Sequence, residues 1–91
     1  MESTEGKVQW SMSPEMRQQL EEMRDRWARH ADALDKYDTY TAYTLRLGVG
    51  YLDRALHAKD AFNAAMAIER AMDLVNRVRG AIRDIRAQMA D

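Results

Sequence analysis

Apolar and polar positions change period along this 91-residue chain. Between Lys7 and Met12 they alternate strictly: Val8, Trp10 and Met12 are apolar, while Lys7, Gln9 and Ser11 are polar. Period two marks a strand with one wet face. No second clear strand follows, so the expected partner is the same strand of another subunit. From Ser13 the period lengthens. Ser13-Pro14-Glu15 combines a capping hydroxyl, a proline suited to the first helical turn, and an acid at the positive end of the helix dipole. Met16, Leu20, Met23, Trp27 and Leu34 then follow at offsets of 4, 3, 4 and 7. They share one face of a helix that starts at Pro14 and runs to about residue 30. Glu21, Glu22, Asp25, Asp32 and Asp35 lie mostly on the other face.

Asp38 or the threonines after it can cap a second helix, Tyr40 through Leu56. Two periods compete there. Thr41, Tyr43, Leu45, Leu47, Val49 and Tyr51 alternate like a strand. Tyr40, Tyr43, Leu47 and Tyr51 also share a helical face, and Leu45, Val49, Leu52 and Leu56 share another. The segment runs into helix-forming Leu52-Asp53-Arg54-Ala55-Leu56, which decides for helix. Gly48 and Gly50 each weaken it by about 1 kcal/mol relative to alanine and make sense where another backbone packs close. Asp60 can cap a third helix reaching about residue 89. Ile68, Val75, Ile82 and Met89 recur every seven residues, with Ala71, Val78 and Ile85 interleaved. That is a coiled-coil-like seam. At about 1.5 Å per residue the helix spans roughly 45 Å, more than the preceding elements can cover, so part of the seam is expected to meet another chain.

These elements predict a mainly α fold: one short N-terminal strand followed by three helices, the third long and coiled-coil-like, in an oligomeric helical bundle. Residues 1–6 form a flexible tail, 7–58 a strand and two helices, and 59–91 an oligomerisation or partner-binding helix. Composition agrees, with one proline and four glycines among abundant helix formers. The absence of cysteine excludes disulfides and thiolate metal sites. No apolar run is long enough to span a membrane, and the acidic start Met1-Glu2-Ser3-Thr4-Glu5-Gly6 lacks the features of a secretory leader, so the expected location is cytoplasmic. The net charge of −1 conceals an asymmetry. Residues 1–45 carry six Lys/Arg against nine Asp/Glu, and residues 46–91 carry eight against six. A near-neutral total leaves room for a local basic footprint.

The stretch Lys7-Val8-Gln9-Trp10-Ser11-Met12-Ser13-Pro14-Glu15-Met16, followed by Leu20 and Met23, resembles the start of the ribbon–helix–helix family of DNA-binding proteins. Thr39 through Arg54 looks like that family's second helix. The resemblance covers roughly residues 7–28 and 38–56. It implies a homodimer whose two strands pair antiparallel and enter the major groove. Val8, Trp10 and Met12 would then face the core, and Lys7, Gln9 and Ser11 the base edges. Thr39 and Thr41 would present backbone N–H groups to a phosphate. The function implied is a small DNA-binding regulator of the autorepressor type.

Other residues suggest other chemistry. Arg79, Arg83 and Arg86 sit at i, i+4 and i+7 with no acid three or four positions away. Such a stripe repels itself unless something anionic covers it, whether nucleic-acid phosphate, a nucleotide or an acidic partner. It is otherwise a solvated face, or pairs with Glu21, Glu22 or Asp25 of a neighbouring chain. Tyr37, Tyr40, Tyr43 and Tyr51 could stack on a base, or pack half-buried with their hydroxyls at the rim. Asp53, His57 and Asp60 do not complete a metal shell, and His30 reads as a boundary residue. Gly48-Val49-Gly50 lacks the strand–loop–helix context of a phosphate loop. No catalytic constellation emerges, so neither enzymatic activity nor a cofactor is expected. The expected partners are a second copy, DNA or another protein. The rival to the DNA regulator is an all-helical protein-interaction module such as a small inhibitor or adaptor. A nucleotide-binding oligomer is the third reading.

Overall fold

The computed structural model describes residues 10–90. Three helices follow one another: α1 (Pro14–Leu34), α2 (Thr39–Leu56) and α3 (Ala61–Ala90). Each begins at a side-chain cap. The Ser13 hydroxyl accepts from the Met16 N–H at 3.2 Å. The Asp38 carboxylate accepts from the Thr41 N–H at 3.2 Å and from its hydroxyl at 2.8 Å. The Asp60 carboxylate accepts from the Asn63 N–H at 2.7 Å. These bonds satisfy amides that have no partner inside the helix. Helix α1 runs one turn past the expected end because Ala31 and Leu34 continue its buried stripe.

The expected N-terminal strand is corrected. Among the described residues there is no strand, and Trp10–Met12 has no regular structure. The alternation survives as alternating burial instead: Met12 is buried, Ser11 exposed, and Trp10 packs half-buried against the core. Apolar contact with the chain's own helices thus takes the place of strand pairing. Residues 7–9, and the tail 1–6, lie outside the described residues.

In α2 the helical period wins. Thr41, Ala42, Thr44, Leu45, Gly48, Leu52, Ala55 and Leu56 are buried, one continuous arc of a 3.6-residue repeat. Both buried threonine hydroxyls are satisfied, Thr41 by Asp38 and Thr44 by the Tyr40 carbonyl at 2.9 Å. Helix α2 packs on both α1 and α3 and forms the middle of the bundle. The bundle is long and narrow, 63 × 20 × 16 Å.

The three helices meet at Gly48. A methyl group there would lie 2.8 Å from Trp27 Cζ3 and 3.8 Å from the Ala71 carbonyl oxygen. The buried indole of α1 therefore occupies the space where α2 has no side chain, with the α3 backbone behind it. Around Gly50 a methyl would meet nothing within 4 Å. Only the first of the two glycines is thus required by a close approach.

The heptad seam of α3 is covered in part within the chain. Ala71, Val78 and Ile85 are buried, while Ile68, Val75 and Ile82 are half-buried against the same core. The last turns of α3 extend along the end of α1, where His30, Ala33, Leu34, Ile82, Arg86 and Met89 surround one small cleft. Helix α2 supplies most of the cover, and Met89 at the end of the seam stays exposed.

Two tests follow from this packing. Alanine gains helix propensity equally at positions 48 and 50, but at 48 it must displace a rigid ring. Gly50→Ala is expected to be the more stable by the overpacking cost, roughly 1–3 kcal/mol, in chemical denaturation; equal stabilities would contradict the Trp27 contact. The bonds from Thr41 hold the Asp38 carboxyl below its ordinary value of 3.8. A depressed carboxyl stabilises above its unfolded pKa and stops doing so as pH falls through its folded one. Asp38→Ala should therefore lower stability at neutral pH and do so less in strong acid, as thermal melts across that range would show.

Candidate functional site

Polar contacts between α1 and α2 are matched in charge. Arg24 Nη1 meets Asp53 Oδ1 at 3.2 Å, and Arg46 reaches Asp32 at 2.9 Å and Asp35 at 3.7 Å. Arg17 Nη2 donates to the Leu56 carbonyl at 3.2 Å, closing the C-terminal end of α2. These pairs are exposed and add little stability, but they take up two carboxylates of the acidic first half, Asp32 and Asp35, and one of α2, Asp53.

The opposite side, between α1 and α3, is not matched. A groove of about 560 Å³ is lined by Arg26, Trp27 and His30 of α1 and by Arg79, Ile82, Arg83 and Arg86 of α3. The sequence stripe Arg79, Arg83, Arg86 thus acquires a facing wall carrying Arg26 and His30. None of the four arginines forms an ion pair among the described residues; Arg79 donates only to Asn76 Oδ1, at 2.7 Å. Trp27 and Ile82 contribute apolar surface. Partial burial and the nearby guanidinium groups of Arg86, Arg26 and Arg29 hold the His30 imidazole below its ordinary value of 6.5.

A second surface lies on the outward arc of α2. Tyr40 is 65 % exposed, Tyr43 58 % and Leu47 40 %. Tyr51, half-buried, continues the stripe and carries the Arg54 guanidinium over its ring at 5.1 Å. From Tyr51 the surface passes onto α3 through Met66, Arg70, Leu74 and Arg77. The rim-packing reading of the tyrosines holds for Tyr51, whereas Tyr40 and Tyr43 stand clear of the core.

The remaining sequence candidates are dispersed. Lys7 and Gln9 lie outside the described residues. Ser11 and Thr39 are exposed, and Thr41 is buried. Because the Asp38 carboxylate already receives the Thr41 N–H and hydroxyl, a negative charge stands where a phosphate was expected. His57 Nδ1 lies 2.9 Å from the Asp53 carbonyl oxygen, a local contact. Among the described residues no group of three His, Asp or Glu side chains is arranged to hold a metal ion, and no described helix is long and apolar enough to cross a membrane. Arg26 was missed because its neighbours in sequence show nothing unusual; only the packing of α1 beside α3 places it in the groove.

Comparison with protein-family models, curated proteins and solved structures finds no match to this chain.

The depressed His30 carries a sign. A base whose folded pKa is lowered binds fewer protons folded than unfolded, so stability decreases as pH falls from 6.5 towards the folded pKa. Arg86→Gln removes one of the repelling cations. It should raise the midpoint of the His30 ring resonances in an NMR titration, and an unchanged midpoint would remove Arg86 from the groove.

Proposed function

We propose that this chain is a self-associating helical interaction module, without enzymatic activity, whose working surface is the outward arc of α2. The observation that carries the reading is the exposure of Tyr40, Tyr43 and Leu47 on one stripe. The polar side of an amphipathic helix would ordinarily occupy that position. Tyrosine, arginine and methionine are the residue types enriched where proteins meet.

The stripe is symmetric about Leu47. Tyr43 and Tyr51 stand four residues to either side, and Tyr40 and Arg54 seven to either side. Two antiparallel copies of α2 related by a two-fold axis at Leu47 place Leu47 on Leu47, Tyr43 on Tyr51 and Tyr40 on Arg54. Such an interface is isologous, as most homodimer interfaces are. It pairs aromatic with aromatic and cation with ring. Gly50, which carries no side chain next to this stripe, leaves room for a partner helix. A stable interface buries roughly 1,200–2,000 Å², and Met66, Leu74, Arg70 and Arg77 widen the patch beyond a single helix. This surface adds to, or replaces, the associating role expected of residues 68–89, whose Ala71, Val78 and Ile85 are buried in their own chain.

The wild-type chain should sediment as a dimer at micromolar concentration. Leu47→Glu sets two like charges on the two-fold axis, a cost of several kcal/mol, or on the order of 100-fold or more in dimer affinity. It should yield a monomer with unchanged helical circular dichroism. A monomeric wild type, or a Leu47→Glu protein that stays dimeric, would refute the assignment.

A further inference from the structure

We infer that the groove between α1 and α3 binds the repeating phosphates of a single flexible polyanionic strand. Four guanidinium groups, from Arg26, Arg79, Arg83 and Arg86, line the groove, and no carboxylate does. Arg29 adds to the same field at His30. Uncovered, these cations repel one another. Among the described residues no carboxylate pairs with them: Glu22, four residues before Arg26, accepts from Gln18 at 3.2 Å, Asp25 and Asp53 meet Arg24, and Asp32 and Asp35 meet Arg46.

The chemistry of the groove narrows the ligand. A guanidinium offers a planar fork of donors that fits two phosphate oxygens at once. Arg79 and Arg86 are seven residues apart on α3, about 10.5 Å along the axis, so more than one phosphate can be engaged. A lone inorganic anion would leave most of the row uncovered. The outer face of α1 carries exposed Glu22 and Asp25, with Glu21 half-buried beside them. A broad polyanion, such as a duplex or an acidic protein domain, would press against those carboxylates. A single strand concentrates its charge in a narrow ribbon and can follow the groove without touching them. The apolar edge of Trp27 and Ile82 offers a surface on which the sugar or a base can rest.

The source of the phosphates is a nucleic-acid strand or an inorganic polyphosphate, and both present the same repeating charge. The inference is independent of the dimer surface on α2, which lies on a different face.

The test is the fluorescence anisotropy of a labelled oligothymidylate titrated with the full chain at low salt. Binding is expected, with log affinity falling against log salt at a slope of roughly −2 to −3, as for three or four neutralised phosphates at about 0.7 each. Arg79→Gln combined with Arg83→Gln should weaken binding at least tenfold, with circular dichroism unchanged. Lys59→Gln, at the turn between α2 and α3, should change it less than twofold. Saturation with the oligonucleotide should also move the His30 titration upward, because a bound anion offsets the neighbouring cations. Competition by inorganic polyphosphate would show that the phosphate row alone is recognised; its failure beside a binding oligonucleotide would assign the site to nucleic acid. No binding at low salt, an equal loss from Lys59→Gln, or competition by polyglutamate as strong as by polyphosphate would each overturn the proposal.

Discussion

The contact on which the bundle depends is the indole of Trp27 lying against Gly48, with the Ala71 backbone behind it. A large flat ring can sit among three helices only if the facing positions are small, and α2 and α3 supply a glycine and an alanine there. Ala64, Ala67 and Ala71 extend the small, buried strip along α3, which lets the two helices run close together. The same ring shapes the far side. Both α1 and α3 lean mainly on α2, and Trp27 faces the groove that opens between them. One packing choice thus makes both the core and the cleft.

Helix α2 carries apolar residues on two arcs. The inner arc, from Thr41 through Leu56, is closed off by its neighbours. The outer arc has no neighbour within the chain, because three helices can cover only one side of the middle one in so slender a bundle. An uncovered aromatic stripe on a chain of this size has two physical outcomes, association or aggregation. The symmetry of the stripe about Leu47 favours a closed pairing, in which each copy covers the other.

Charge is partitioned in the same way. The acidic first half of the chain implies that its carboxylates seek cations, and α2 provides them through Arg46 and, by way of Asp53, a partner for Arg24. No carboxylate, by contrast, lines the groove with Arg79, Arg83 and Arg86. A net charge near zero is therefore the sum of a positive groove, ion-paired positions between α1 and α2, and carboxylates such as Glu15, Glu22 and Glu69 exposed elsewhere. His30, held below its ordinary pKa by burial and by its cationic neighbours, lines the positive groove.

The amino-acid sequence by itself determined the local structure. Ser13, Asp38 and Asp60 as caps, the stripe of α1 and the seam of α3 all follow from residues a few positions apart, where capping bonds and helical period act. Gly48 and Gly50 read alike in the sequence, and only the tertiary structure sets another helix close at the first and none at the second. The period-two run at residues 7–12 misled because alternation records which side chains are apolar, not what covers them; Trp10 and Met12 found their cover on helices. The tertiary structure alone decided where each surplus went. It folded most of the α3 seam onto α2, left Tyr40 and Tyr43 outside, and set Arg26 and His30 opposite Arg79, Arg83 and Arg86. Those outcomes depend on the way three helices share space, and residues some fifty positions apart in sequence have no period in common that could announce it.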